Sequence, residues 1–165
     1  MKPAGELGAS AADRAALLRK YRVLARWRRA KDRAHAPGRP ADAPPEADAA
    51  EREPMRALAA EFPGALRELD RLGAAELERR VEVLSRAEGA TKGRAPEYEE
   101  EWIPWILAYH GELGRVLAEK RAGVGRVSPS PDGRASLGVL RTIAARFGRS
   151  AEEIANALFP PRRRP

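Results

Sequence analysis

The large apolar residues of this chain recur at intervals of three and four, in short runs separated by prolines and glycines. This spacing places them along one face of a helix, whereas a half-buried strand needs strict alternation. No alternating run of β-branched residues occurs anywhere in the sequence. The 14 prolines and 14 glycines leave segments of ordinary helix length between them. The sequence therefore predicts an all-α fold, a small helical bundle.

The composition excludes several classes of protein. Cysteine is absent, which removes disulfides, thiol nucleophiles and cysteine-ligated zinc. No run of 18 apolar residues is present, so no membrane-spanning helix and no membrane partner are expected. Residues 1–16 lack the apolar stretch of a secretory signal, and we expect a cytoplasmic protein.

Residues 1–35 are predicted as a basic amphipathic helix. Ser10 and Asp13 have the spacing of a capping box, which marks the start of the helix. An apolar stripe that includes Tyr21 forms one face, and basic residues that include Lys20 are expected to cover the rest.

The rest of the chain divides at its prolines. Residues 36–50 contain four prolines and no large apolar residue, and are predicted as a flexible linker. Residues 51–159 are predicted as a helical domain, in which Pro54 would lie in the first turn of one helix. Residues 160–165 form a basic tail.

The most apolar helix is predicted to begin near Trp102. Trp105 and Tyr109 extend its aromatic stripe, which indicates core, with a stacking platform as the alternative. His110 and Glu112, near acidic residues 99–101, are the only hint of acid–base or metal chemistry. A metal site needs at least three converging ligands, so no metal, no cofactor and no enzymatic activity are expected.

The net charge of +7 is unevenly distributed. Residues 1–40 carry +8, residues 41–101 carry −7, and residues 102–165 carry +6. Two basic ends around an acidic middle favour a polyanionic partner, or ends that pack on the middle.

The first helix is a candidate for nucleic-acid binding, because arginine binds phosphate in a bidentate manner. Tyr21 and Trp27 are candidates for stacking on unpaired bases. The alternatives are docking on an acidic surface, a solvated face, and binding to an anionic membrane surface. The predicted phosphate contacts in this helix are Arg19, Arg22, Arg26, Arg29 and Arg33.

Near the C-terminus, Ala144 is followed four residues later by Gly148, with apolar residues at positions 143, 147 and 154. On these residues the segment 137–158 resembles a bacterial helix-turn-helix segment. The resemblance implies that Ala144 faces the second helix, that Gly148 lies in the turn, and that the pair docks on DNA. The alternative is a plain helical hairpin that packs on the aromatic helix.

The segment departs from that family's pattern at three positions. Arg149 stands where an apolar residue is usual, and Glu152 and Glu153 stand where phosphates or bases would be met. The residues predicted to contact nucleic acid in this part of the chain are Arg146, Arg149, Ser150, Asn156, Arg162, Arg163 and Arg164.

The sequence thus favours a non-enzymatic nucleic-acid-binding protein, with DNA the preferred ligand and an accessory or regulatory role. The alternative is a protein–protein interaction module or accessory subunit whose basic N-terminal helix binds an acidic partner. A third hypothesis, an enzyme, requires His110 to lie in a pocket with a carboxylate.

Overall fold

The computed structural model describes residues 9–34, 37–38, 46–90, 100–122 and 134–160. Within these ranges the chain forms seven α-helices and no strand, which confirms the predicted all-α fold and small helical bundle. The helices are α1 (Ala11–Ala34), α2 (Glu46–Glu61), α3 (Ala65–Arg71), α4 (Ala74–Ala90), α5 (Trp102–Arg121), α6 (Arg134–Phe147) and α7 (Ala151–Leu158).

The helices belong to two compact units. The N-terminal unit contains α1, α2 and α4, and the C-terminal unit contains α3, α5, α6 and α7. In the N-terminal unit α1 packs against both α2 and α4. The first helix is therefore part of a packed unit, whereas its sequence suggested a helix set apart by a linker.

The start of α1 has the predicted capping box. The Asp13 backbone N–H donates to Ser10 Oγ at 3.1 Å, and the Ser10 N–H donates to Asp13 Oδ2 at 3.0 Å. These bonds satisfy two backbone donors at a helix end.

The core of the N-terminal unit contains leucines from two helices. Leu17 and Leu24 of α1 are fully buried, as is Leu77 of α4. Burial of each leucine contributes about 1.5–3 kcal/mol.

Lys20 was expected on the solvated face of α1, and this prediction is wrong. Its side chain is completely buried, with Nζ 4.3 Å from the centroid of the Tyr21 ring. The electron-rich face of an aromatic ring stabilises a cation and offsets part of the cost of removing it from water.

The second helix begins earlier than predicted. Pro54 lies inside α2 and not in its first turn, because the helix starts at Glu46. An interior proline removes one backbone hydrogen bond, whereas the burial of Met55 and Leu58, which follow Pro54 in the same helix, favours the helix. Residues 46–50, part of the predicted linker, are therefore helical. Residues 39–45 of that linker lie outside the described residues.

The C-terminal unit has its core around α5, which begins at Trp102 as predicted. Trp102, Trp105 and Tyr109 are buried, which confirms that the aromatic stripe is core. Gly64, in the turn before α3, has φ +87°, and a Cβ there would lie 2.6 Å from a Leu113 methyl carbon. Glycine suits this position, because any other residue would be strained at this φ and would require the Leu113 side chain to shift.

The predicted break between α6 and α7 is also present. Gly148 ends α6 with φ +63°, and the Arg149 N–H donates to the Ala144 carbonyl at 3.0 Å. This is a Schellman-type termination. Ser150 then begins α7 by accepting a hydrogen bond from the Glu153 N–H at 3.0 Å. The first helix of the pair begins at Arg134, three residues before the start of the segment 137–158.

None of the described helices combines the length and the apolar content that crossing a lipid bilayer requires.

Candidate nucleic-acid interface

Four of the predicted phosphate-binding arginines share one face of α1. Arg19, Arg22, Arg26 and Arg29 follow one another at spacings of three, four and three, which aligns side chains along a helix. All four are exposed and line one groove of about 580 Å³. We call this feature the arginine groove. Its apolar lining consists of Val23 and Ala25 of α1 and Val81 of α4.

The two outer arginines of the groove are engaged by carboxylates from different helices. Arg19 Nη2 lies 2.6 Å from Glu61 Oε1 of α2, and Arg29 Nε lies 3.1 Å from Glu78 Oε1 of α4. All four of these side chains are at least 46% exposed. Such surface ion pairs are individually weak, because water and salt screen them.

The two central arginines have a different environment. Arg22 and Arg26 are exposed, and no described side chain forms an ion pair or hydrogen bond with either guanidinium. Each guanidinium presents donors in a planar fork that matches a phosphate or a carboxylate. The groove therefore offers two available cations flanked by two weakly engaged ones.

A buried polar network lies behind this face of α1. Arg80 of α4 is fully buried, and its Nη1 donates to the Tyr21 hydroxyl at 2.9 Å. Its Nε donates to Glu76 Oε1 at 3.0 Å. Burial raises the pKa of Glu76, but hydrogen bonds from Arg79 and Arg80 lower it further than burial raises it, so the pKa lies below its ordinary range. The network joins α1 to α4, the two helices that supply the groove lining.

The aromatic residues of α1 do not form a stacking surface in this groove. Tyr21 is completely buried, so its ring is enclosed by the core and not presented to a base, contrary to the sequence-based expectation. Trp27 is half-buried and does not line the groove. Arg33 is exposed near the C-terminal end of α1 and also lies outside the groove lining.

The residues near the C-terminus that were predicted to contact nucleic acid differ in how strongly their side chains are engaged by the protein itself. Arg149 Nη2 donates to Glu101 at 2.8 Å, and its Nη1 donates to Glu153 at 3.1 Å. Its guanidinium carbon lies 5.9 Å from the centroid of the Trp105 ring. Arg149 is thus held by two carboxylates and an aromatic ring of its own unit.

Ser150 uses its hydroxyl to cap α7, while Arg146 and Asn156 are exposed. The tail residues Arg162, Arg163 and Arg164 lie outside the described residues. The resemblance of 137–158 to a helix-turn-helix segment stays a prediction.

His110 does lie beside a carboxylate, but one that the sequence did not suggest. The ring is 4% exposed, with Nδ1 2.7 Å from the Pro63 carbonyl oxygen and Nε2 3.4 Å from Glu68 Oε2. Phe62 and Tyr109 pack edge-on against the ring. Both ring nitrogens therefore face groups of the C-terminal unit itself, and the pair links α5 to α3.

Sequence reasoning missed Glu61 and Glu78 as partners of the arginine groove. They lie 42 and 49 positions from their arginines, and no local pattern indicates pairing across that distance. Across the described ranges, no three His, Cys, Asp or Glu side chains lie together in a way that could hold a metal ion.

Comparison with known proteins adds no family. No protein-family model, no curated protein and no solved structure matches this chain. Its function is therefore inferred from its own residues and their geometry.

Proposed function

We propose that the N-terminal unit binds nucleic acid, with DNA the preferred ligand, through sequence-independent contacts between the arginine groove and phosphates. One observation carries the proposal: Arg22 and Arg26 are exposed on one helix face without a described partner, between two further arginines of the same groove. Guanidinium–phosphate contacts position a protein on nucleic acid and do not read bases. The role would be accessory or regulatory, without catalysis.

The dimensions of the groove suit a phosphate backbone. Arg19 and Arg29 are ten residues apart, which corresponds to about 15 Å along a helix axis. The two strands of a duplex together carry a phosphate about every 1.7 Å of axis, so a stretch of this length holds enough phosphates for one per arginine. The net charge of +7 further favours association with a polyanion.

Fluorescence anisotropy with a labelled random-sequence duplex, titrated over salt concentration, tests the proposal on the full-length chain. Four neutralised phosphates give a log–log salt slope of about −3.6, because each contributes about −0.9. The double variant Arg22→Ala/Arg26→Ala should weaken binding and reduce the slope to about −1.8.

The matched control is Arg52→Ala/Arg56→Ala. These two arginines are exposed on α2 of the same unit, have the same spacing of four, and do not line the groove. The control removes the same charge and should retain the slope of the wild-type chain. Equal losses in the two variants would contradict the proposal, because they would show that net charge alone drives binding.

A second candidate, an acidic protein partner, is favoured by the apolar lining of the groove. Val81 is partly exposed beside the arginines and offers an apolar contact to an acidic amphipathic helix, while Val23 and Ala25 are buried beneath it. The variant Val81→Thr separates the two candidates, since it keeps the shape of the side chain but adds a hydroxyl. It should weaken binding of a labelled Glu- and Leu-rich amphipathic peptide, if the groove holds such a helix, and should leave duplex binding unchanged.

A further inference from the structure

The acidic residues around the arginine groove follow a simple arrangement. Each outer arginine is paired with one carboxylate, Glu61 from α2 for Arg19 and Glu78 from α4 for Arg29. The carboxylates come from the two helices that pack against α1 in this unit. The central arginines have no such partner among the described residues.

We infer that Glu61 and Glu78 set the affinity of the groove for polyanions by competing with phosphates for the two outer arginines. The inference rests on the proposed function and adds two affinity-determining residues to the site. Each carboxylate occupies part of the donor fork of its arginine, so a phosphate that takes the whole fork has to displace it. A released carboxylate close to a bound phosphate also adds like-charge repulsion.

The exposure of the pairs limits the size of the effect. In the Arg19–Glu61 pair the side chains are 61% and 46% exposed, and in the Arg29–Glu78 pair 57% and 47%. Exposed pairs of this kind are weak enough for a polyanion to displace. Removal of both carboxylates should therefore tighten duplex binding about two-fold to thirty-fold, and leave the salt slope unchanged because the number of bound phosphates is the same.

The double variant Glu61→Gln/Glu78→Gln tests this in the full-length chain, with the same labelled duplex and anisotropy at one salt concentration. The matched control is Glu53→Gln/Glu82→Gln, which removes one carboxylate from each of the same two helices. Glu53 is exposed, and Glu82 pairs with Arg86, which does not line the groove. The control should tighten binding less than the test variant does.

The same glutamate substitutions in a chain that lacks the two outer arginines test whether the effect depends on the named ion pairs. In the Arg19→Ala/Arg29→Ala variant, Glu61 and Glu78 have no groove arginine to pair with. Adding Glu61→Gln/Glu78→Gln to it should therefore tighten duplex binding no more than the control substitutions do. This double-mutant cycle isolates competition through the named pairs. A gain that is equal in test and control variants, or that persists without Arg19 and Arg29, would overturn the inference.

The outcomes also separate this inference from the proposed function. If Arg22→Ala/Arg26→Ala weakens duplex binding but Glu61→Gln/Glu78→Gln does not change it, the competition is overturned. The proposed function then still stands. No duplex binding by the wild-type chain near physiological salt overturns both.

Discussion

The arginine groove of α1 and the turn before α7 present the same residue type in different surroundings. Sequence reasoning assigned both to phosphate binding. In the groove, Arg22 and Arg26 are exposed without a described partner. In the turn, Arg149 donates to Glu101 and Glu153 and lies against the ring of Trp105.

The difference shows that nearby carboxylates decide what an exposed arginine can do. A phosphate that approached Arg149 would have to displace two carboxylates, and both would remain close to it and repel it. Each arginine of the groove has one carboxylate partner or none among the described residues. These contacts are why we propose the groove, and not the turn before α7, as the polyanion site.

Arg80 represents a third arginine environment, and its replacement should have the largest effect on stability. It is fully buried, and Arg80→Ala would remove the donor to Tyr21 and one donor to Glu76 and leave a cavity. We expect a loss of about 3 kcal/mol in the free energy of unfolding, measured by urea denaturation. Arg79→Ala is the control, because Arg79 bonds the same glutamate from a 45% exposed position and should cost less than about 1 kcal/mol. A similar loss in the free energy of unfolding for both variants would mean that the burial of Arg80 does not add to its contribution to stability.

Ser150 tests whether the turn before α7 is structural or also contacts nucleic acid. Ser150→Ala removes the cap on the Glu153 N–H and should cost about 1 kcal/mol of stability. Ser150→Asp keeps a capping oxygen but adds a negative charge, so it should retain most of the stability. Neither variant should change duplex affinity in the anisotropy assay. A strong loss of affinity in Ser150→Asp alone would place phosphates at this turn and break the comparison.

Acid should affect the C-terminal unit through Glu112. Hydrogen bonds from Arg115 lower the pKa of this carboxyl, although burial raises it. A carboxyl with a lowered folded pKa contributes stability above its unfolded pKa of about 4.3, and loses that contribution as pH falls through the folded value. The free energy of unfolding should therefore fall less steeply below about pH 4 in Glu112→Gln than in the wild-type chain. Glu152→Gln, an exposed control, should follow the wild type, and parallel curves for all three would contradict the expectation.

Local signals in the sequence predicted local structure well. The Ser10 cap and the stop at Gly148 each depend on atoms within a few residues, so their residue types and spacing are sufficient. The sequence also named Arg19, Arg22, Arg26 and Arg29 as candidate phosphate contacts, and the structure places these four in one groove. The start of α2 was missed because burial of Met55 and Leu58 outweighs the local effect of Pro54.

What the sequence could not supply is the pairing between distant residues. Arg80 meets Tyr21 across 59 positions, and His110 meets the Pro63 carbonyl across 47. The selection of Glu61 and Glu78 as partners of the groove depends in the same way on how α1, α2 and α4 pack. An arginine-rich helix can therefore be recognised from its sequence, while the availability of each arginine requires the fold.

The most direct test of the central claim compares Arg22→Ala/Arg26→Ala with Arg146→Ala/Arg149→Ala, two variants that each remove two positive charges. Duplex affinity and the free energy of unfolding are measured on both. The groove variant should lose affinity and reduce the salt slope by about 1.8, with stability within about 0.5 kcal/mol per substitution of the wild type. The C-terminal variant should keep its slope and lose up to about 1 kcal/mol per broken ion pair. The reverse result, with the slope reduced only in the C-terminal variant, would contradict the assignment of polyanion binding to the arginine groove.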